Sequence, residues 1–345
     1  VYMETINQMI EKARNAQSLW ERADQEKIDN IVREIPETVY DNAELLSKVT
    51  VDETKLGNYE YNLSQDRRKA EIIWYSLKGK KSVGIIGRDK DTGIVEIARP
   101  VGIVGSVLPV TIPVTNFMSN SMFSLKCANA VIHAPHPSAK KTTATVAELI
   151  IKAIGKFDVP ENIIQYIEDP SKELTQELMS QVDVVVATGG MGMVKAAYSS
   201  GKPTYGVGPG NIQCIIDRNI DIDGATKKII AGRSFNYGIP CGRQGFNKAQ
   251  AEDFDNIVSS FIKNGAAYIG TAAKKREGGN QIGAPGVLSR ECVGLSAYDV
   301  AKKAGLSIAK DSKIILIKGD LKRQDKVLRK EKLCPVTIIY TYDGF

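Results

Sequence analysis

Cys241 closes the stretch Phe235-Asn236-Tyr237-Gly238-Ile239-Pro240-Cys241 and is followed by Gly242-Arg243. A thiol on a loop with glycine and proline neighbours and a cation close by has the setting in which cysteine serves as a nucleophile. The other four cysteines read differently. Cys127, Cys214 and Cys334 lie in or beside apolar runs, where cysteine packs as a small hydrophobe, and Cys292 follows a polar stretch that fits the surface. Five scattered cysteines without a CxxC pair predict neither a disulfide framework nor a zinc site, and they suit a reducing cytoplasm. Only His133 and His136 are available, so neither a histidine-built metal centre nor a Ser-His relay is expected. Nucleophilic chemistry has to rest on cysteine or lysine.

Two glycine-rich segments could hold phosphate. Ala187-Thr188-Gly189-Gly190-Met191-Gly192 follows a run of almost pure β-branched residues and opens a helix. Backbone amides uncovered by side chains, at a helix N-terminus, suit a pyrophosphate. Taken alone, a glycine pair after a strand is more often a plain turn. The second segment is Gly206-Val207-Gly208-Pro209-Gly210-Asn211.

The elements that would carry these residues follow from periodicity. Ile6, Met9, Ile10 and Ala13 share one helical face; Ile28, Ile31, Val32 and Ile35 share another; a third helix is predicted over 63–76. Strands over 82–86 and 93–98 flank the turn Asp89-Lys90-Asp91-Thr92-Gly93 and predict a hairpin. From 101 onward strand and helix alternate. Strands are predicted over 101–108, 130–134, 163–167, 182–187 and 213–216, with helices over 116–127, 143–154, 174–179 and 191–199. This rhythm predicts a doubly wound parallel sheet with ligands at the carboxyl ends of its strands. After Cys241 it restarts: helices over 251–263 and 297–304, strands over 267–269, 314–318 and 337–340. The expected organisation is two doubly wound α/β domains, 1–236 and 237–345. The second ends after a strand without a closing helix and is expected to be incomplete.

Bulk properties narrow the function. Of 345 residues 43% are hydrophobic and 25% charged, a globular composition. A net charge of +6 without a clustered basic stripe accommodates anionic cofactors and argues against nucleic acid. There is no run of about 18 apolar residues to span a membrane, and residues 1–20 follow helical spacing without signal-peptide organisation.

The segments around Thr188, Gly208 and Cys241, with Ala134-Pro135-His136-Pro137-Ser138-Ala139-Lys140-Lys141 and Val194-Lys195-Ala196-Ala197-Tyr198-Ser199-Ser200-Gly201-Lys202-Pro203, resemble the CoA-acylating aldehyde dehydrogenases in sequence and order. Glu53-Thr54-Lys55-Leu56-Gly57-Asn58-Tyr59-Glu60 and Glu331-Lys332-Leu333-Cys334-Pro335-Val336 fit the same family. Within it the chain looks most like the succinate-semialdehyde dehydrogenases that form succinyl-CoA. The resemblance implies an aldehyde dehydrogenase-like fold, NAD or NADP as cofactor, CoA as co-substrate and a homo-oligomer, dimer or tetramer. It implies cofactor contacts at Pro109, His136, Pro137, Thr188, Gly189, Gly190 and Gly208, with Glu331 on the nicotinamide-side ribose. His136 stands where many aldehyde dehydrogenases place a lysine against the adenosine ribose; a buried, hydrogen-bonded histidine is the equal alternative.

The implied mechanism starts with the Cys241 thiolate adding to the aldehyde carbonyl. Hydride transfer then leaves a thioester, and CoA accepts the acyl group by thiol exchange. Hydrolytic relatives place a glutamate base where this chain has Val207. Without a base to activate water, a thiol is the natural acceptor. Two positions depart from the family pattern. Its oxyanion asparagine is replaced by Ile112 after Pro109-Val110-Thr111, with Asn116 four residues on as a substitute donor. The small-small-Glu-Gln after the cysteine is here Gly242-Arg243-Gln244-Gly245. Arg243 is a candidate for an anionic substrate tail; its alternatives are solvent or an ion pair with Glu252. A hydrolytic enzyme and a nucleotide-binding or assembly protein without turnover remain the competing readings.

Overall fold

The computed structural model describes residues 4–271, 290–319 and 330–343. The chain divides into two compact units: Val1–Lys55 with Asn62–Gly208, and Leu56–Tyr61 with Pro209–Phe345. The change-over at Gly208/Pro209 falls before the expected 236/237. The cause is strand pairing: residues 212–216 join the sheet that contains 244–250.

The first unit begins with α1 (Ile6–Trp20), α2 (Gln25–Asp41), α3 (Ala43–Thr54) and α4 (Tyr59–Leu77), followed by the antiparallel hairpin β1 (Gly84–Arg88) and β2 (Val95–Ala98). Then β3 (Ile103–Val107), α5 (Pro113–Lys126), β4 (Ala130–Ala134), α6 (Lys140–Ile154), β5 (Ile164–Tyr166), α7 (Lys172–Gln181), β6 (Val184–Thr188), α8 (Met191–Tyr198) and β7 (Thr204–Val207) alternate. The five strands β3–β7 are parallel in the order β5-β4-β3-β6-β7. The path runs outward from β3 to β5, returns to β6 beside β3, and continues to β7. Right-handed crossovers therefore put α5 and α6 on one face and α7 and α8 on the other. β3 and β4 are buried throughout, as central parallel strands must be. α2 packs on α5 and α6, while α1 packs on β4 and α7.

The second unit holds β8 (Ile212–Ile216), α9 (Ile222–Ser234), β9 (Gln244–Gln250), α10 (Phe254–Lys263), β10 (Ala266–Thr271), α11 (Ala297–Lys303), β11 (Ile314–Lys318) and β12 (Val336–Tyr342). All five strands are parallel, in the order β10-β11-β12-β9-β8. Alternate residues feed opposite faces. Ile314 and Leu316 join Ile229, Phe254 and Phe261 in one core cluster, while Ile315 joins Val300 and Tyr340 in another. Both units are thus doubly wound, as the sequence predicts.

Four elements lie where periodicity assigns nothing: α3, β7, α9 and β9. The buried face of α3 includes Ser47 and Thr50, so its apolar stripe is diluted. α3 also does structural work, because Glu53 caps α6. Its carboxylate accepts the Lys141 and Thr142 amides at 2.8 and 2.7 Å and the Thr142 hydroxyl at 2.8 Å, which suits the positive end of a helix dipole.

Candidate active site

The nominated cofactor residues of the first unit converge on one edge. β3 pairs Val107 with Ala134 of β4 on one side and with Ala187 of β6 on the other, and β6 pairs Thr188 with Val207 of β7. Thr188 ends β6, and Pro109, His136-Pro137, Gly189-Gly190 and Gly208 follow these strands within three residues, so all lie at the carboxyl edge of the parallel sheet. The strand order reverses between β3 and β6, which makes a crevice there, and open α/β sheets bind ligands at such a point. Gly190 is the N-cap of α8, and a side chain added there would meet nothing within 4 Å. That open, amide-lined helix start fits a pyrophosphate. Pro109 is buried.

His136 is exposed, so the buried alternative does not hold. It caps the short 3-10 turn Pro137–Ala139, its Nδ1 accepting the Ser138 amide at 3.1 Å. His133 is the buried histidine: it stacks on Phe117 at 4.1 Å, its Nε2 lies 2.9 Å from the Ser121 hydroxyl, and burial pushes its pKa down to about 3. It remains neutral and belongs to the core.

Ile112 is the N-cap of α5 and supplies no side-chain hydrogen bond to the helix. Asn116 lies one turn later on the same side of the helix start and is half-buried; its amide donates to the Ile112 carbonyl at 3.1 Å.

Cys241 lies in the second unit, exposed on the loop between α9 and β9. Three successive residues upstream are left-handed: Asn236 (φ 46°), Tyr237 (φ 50°) and Gly238 (φ 71°). For the two that carry a Cβ this costs about 1–2 kcal/mol each, so the surroundings must enforce it. Gly238 could not be replaced freely, because a Cβ would fall 2.6 Å from the Cys334 carbonyl oxygen. That carbonyl also accepts a hydrogen bond from the buried Arg233 guanidinium. Lys332, likewise buried, donates to the Gly245 carbonyl at 3.1 Å, and burial pushes its pKa down to about 8. Two buried cations therefore tie residues 332–334 to both flanks of the Cys241 loop. Sequence reading missed both residues; the left-handed stretch left a trace in the pair Asn236 and Gly238, types that favour that conformation.

Arg243 lies over the Phe235 ring, its guanidinium carbon 4.6 Å from the centroid. Glu252, suggested as its ion-pair partner, is instead 4.0 Å from Arg218. Glu331 accepts the Gly210 amide, and burial pushes its pKa up. Its Oε1 is buried without a hydrogen-bond partner among the described residues, an acceptor that a ribose hydroxyl would satisfy. Of the remaining cysteines, Cys292 is buried rather than on the surface, because its polar neighbours precede a turn that packs on α11 and β11. Cys334 is buried as expected, and Cys214 is half-buried in β8. Cys127 is exposed, against expectation, because it caps the C-terminus of α5 at the amino end of β4, opposite the edge that gathers the cofactor candidates.

The molecule thus combines two parallel α/β sheets, the first with an open glycine-rich carboxyl edge and the second with an exposed loop cysteine. The aldehyde dehydrogenase family profile matches residues 2–345. The chain is 41% identical to the succinate-semialdehyde dehydrogenase (acetylating) of Clostridium kluyveri over 99% of its length, covering 75% of that protein. It superposes on the acetylating aldehyde dehydrogenase of Geobacillus thermoglucosidasius with a TM-score of 0.91 at 33% identity, covering 98% of this chain and 75% of that one. It also matches the Rhodopseudomonas palustris propionaldehyde dehydrogenase, solved with bound CoA and an acylated cysteine, with a TM-score of 0.85 at 28% identity over 99% and 78%. The chain belongs to the aldehyde dehydrogenase family, in its CoA-acylating branch.

Proposed function

We propose that the protein oxidises an aldehyde, with CoA and NAD(P)+, to an acyl-CoA and NAD(P)H, reversibly, through a thioester on Cys241. The observation that carries the reading is the exposed Cys241 thiol on a conformationally enforced loop of an acylating-family chain. The alternatives are weaker: burial raises the thiol pKa of Cys214 and Cys334, and the exposed Cys127 lies at the amino end of β4, opposite the glycine-rich edge. Bound nicotinamide supplies the acceptor for the aldehyde hydrogen. The carboxyl edge of the first sheet and Glu331 suit that cofactor. Cys241 forms the carbon–sulfur bond and releases the acyl group to the CoA thiol, which gives up its proton. Val207, exposed at the end of β7, offers no base for water, which favours CoA over hydrolysis.

Succinate semialdehyde is the preferred substrate on two grounds: the 41% identity to an enzyme named for it, and a guanidinium two residues after the nucleophile. Cofactor binding is assigned to the 1–236 half and catalysis to 237–345, with residues 209–236 packing in the second compact unit. A homo-oligomer is supported by the β1–β2 hairpin, whose Ile85, Ile94, Val95 and Ile97 are 41–59% exposed. A lone two-stranded ribbon needs such a face covered. Among the described residues no helix is long and apolar enough to cross a membrane; with free cysteines throughout, a cytoplasmic setting is the proposed location.

One observation favours a second reading, a cofactor-binding protein without turnover: Ile112 has no donor for an oxyanion. Absorbance of reduced nicotinamide, followed with succinate semialdehyde in the presence and absence of CoA, decides between them. CoA-dependent signal supports the proposal, CoA-independent signal indicates hydrolysis, and cofactor binding without signal indicates the second reading.

A further inference from the structure

The segment Leu56–Tyr61 comes from between α3 and the body of α4, yet its contacts place it in the second unit. There it meets the residues that precede Cys241. The Asn58 amide donates to Asn236 Oδ1 at 2.9 Å. Tyr61 packs on Phe235 with ring centroids 5.0 Å apart and on the edge of Tyr237 at 6.5 Å. Gly57 is left-handed (φ 76°), its amide donates to the Gly294 carbonyl at 3.3 Å, and a Cβ there would overlap Asn236 Oδ1. Asn236 itself is fully buried.

The Asn58 and Tyr61 contacts fall on the left-handed residues and on their neighbour Phe235. Asn236 and Tyr237 are held left-handed, a conformation that asparagine and aspartate tolerate and alanine does not. The hydrogen bond from Asn58 fixes the Asn236 side chain, and the Tyr61 ring bears on the residues either side of it. We infer that Leu56–Tyr61 is a clamp that sets the backbone ahead of Cys241, with Asn236 and Asn58 as positioning residues for the thiol. This rests on Cys241 being the nucleophile. The clamp acts through loop geometry and touches no substrate, so its loss should reduce turnover and thiol reactivity and leave cofactor affinity alone.

The test uses the full chain with Asn236→Ala, Asn236→Gly, Asn236→Asp and Gly57→Ala. Readouts are kcat and KM for the aldehyde, cofactor Kd, and the iodoacetamide labelling rates of Cys241 and Cys127 by peptide mass. Asn236→Ala should lower kcat roughly 10–100-fold, the range for a misplaced reacting group. KM and Kd should move little, and labelling should change at Cys241 but not at Cys127. Asn236→Asp, which keeps both the acceptor and the tolerated backbone, should restore most of the rate; Asn236→Gly, which keeps only the backbone, should fall between. Gly57→Ala should behave like Asn236→Ala. Should Asn236→Ala fail to fold, the order of Asp above Gly still decides. Wild-type kcat and labelling in Asn236→Ala or Gly57→Ala, or equal loss in the Asp and Gly variants, overturns the clamp. An active Cys241→Ala overturns the nucleophile assignment and the clamp's catalytic role together, whereas an inactive one beside unaffected clamp variants overturns the clamp alone.

Discussion

Thr115, in the first turn of α5, donates its hydroxyl to Asp66 of α4 at 3.1 Å, and the Ser47 hydroxyl of α3 reaches the other carboxyl oxygen at 3.5 Å. Three helices meet at this buried acid. Burial lifts its pKa to about 7, with the two hydroxyls pulling it partly back.

A stability slope follows. The native pKa lies above the unfolded carboxylate value, so the native state holds more protons than the unfolded state between about pH 4 and 7. Stability therefore declines as pH rises through that window and levels off above it. Asp66→Asn removes the slope. Its advantage over wild type should grow by on the order of 1–2 kcal/mol between pH 5.5 and 8.5, read by urea denaturation at both values. A difference that stays constant with pH would show that Asp66 is not protonated in the native protein.

Cys241→Ala should abolish aldehyde-dependent cofactor reduction while cofactor binding survives, since the glycine-rich edge that suits the pyrophosphate lies elsewhere in the chain. Inactivation by iodoacetamide should track labelling of the Cys241 peptide. If activity instead follows Cys127, the other exposed thiol, the assignment fails.

Ile112→Asn has two expected effects that separate cleanly. Asparagine at an N-cap that lacks a side-chain bond should stabilise the protein by about 1 kcal/mol, visible as a higher Tm. As an added oxyanion donor it should also raise kcat, by up to about 10²-fold. A higher Tm with unchanged kcat would confine the residue to capping and end its proposed role in the reaction.

Arg243→Met should raise KM for succinate semialdehyde about tenfold or more, the worth of a charge-assisted contact, and leave butanal nearly unaffected. The guanidinium already rests on Phe235, whose own neighbours are the clamp aromatics. An equal loss for both aldehydes would therefore assign Arg243 to holding that ring. Sulfoacetaldehyde, which also carries an anionic tail, should follow succinate semialdehyde.

Much of this was legible in the sequence where burial is uniform. β3 and β4, buried throughout, announce themselves as apolar runs, β6 by its β-branched residues, and the helices around them by period. The sequence hides strands whose interiors are polar. β9 reads Gln244-Gly245-Phe246-Asn247-Lys248-Ala249-Gln250, yet Asn247 is fully buried because its amide donates to Thr337 Oγ1 at 2.8 Å and to the Ile338 carbonyl at 3.2 Å. Those partners lie 90 residues away, where no local pattern can reveal them. The same distance effect hid Arg233 and Lys332, which look like surface cations until the carbonyls they serve are in place. Cys241 was found from its loop and its family likeness; the backbone that presents it was not.

The bond between Asn58 and Asn236 spans 178 positions of chain, and that has a consequence for how the protein is made. A ribosome adding roughly 5–20 residues per second needs about 10–35 s to cover the interval. The five-stranded sheet of the first unit needs nothing beyond Gly208, so it can form while the Cys241 loop has yet to emerge. The clamp closes only once both ends exist, and Cys241 acquires its placement late. Until residue 241 has emerged and the second unit has packed, the thiol is absent or unplaced, so the proposed thioester chemistry waits on the second unit while the carboxyl edge of the first sheet can already be formed.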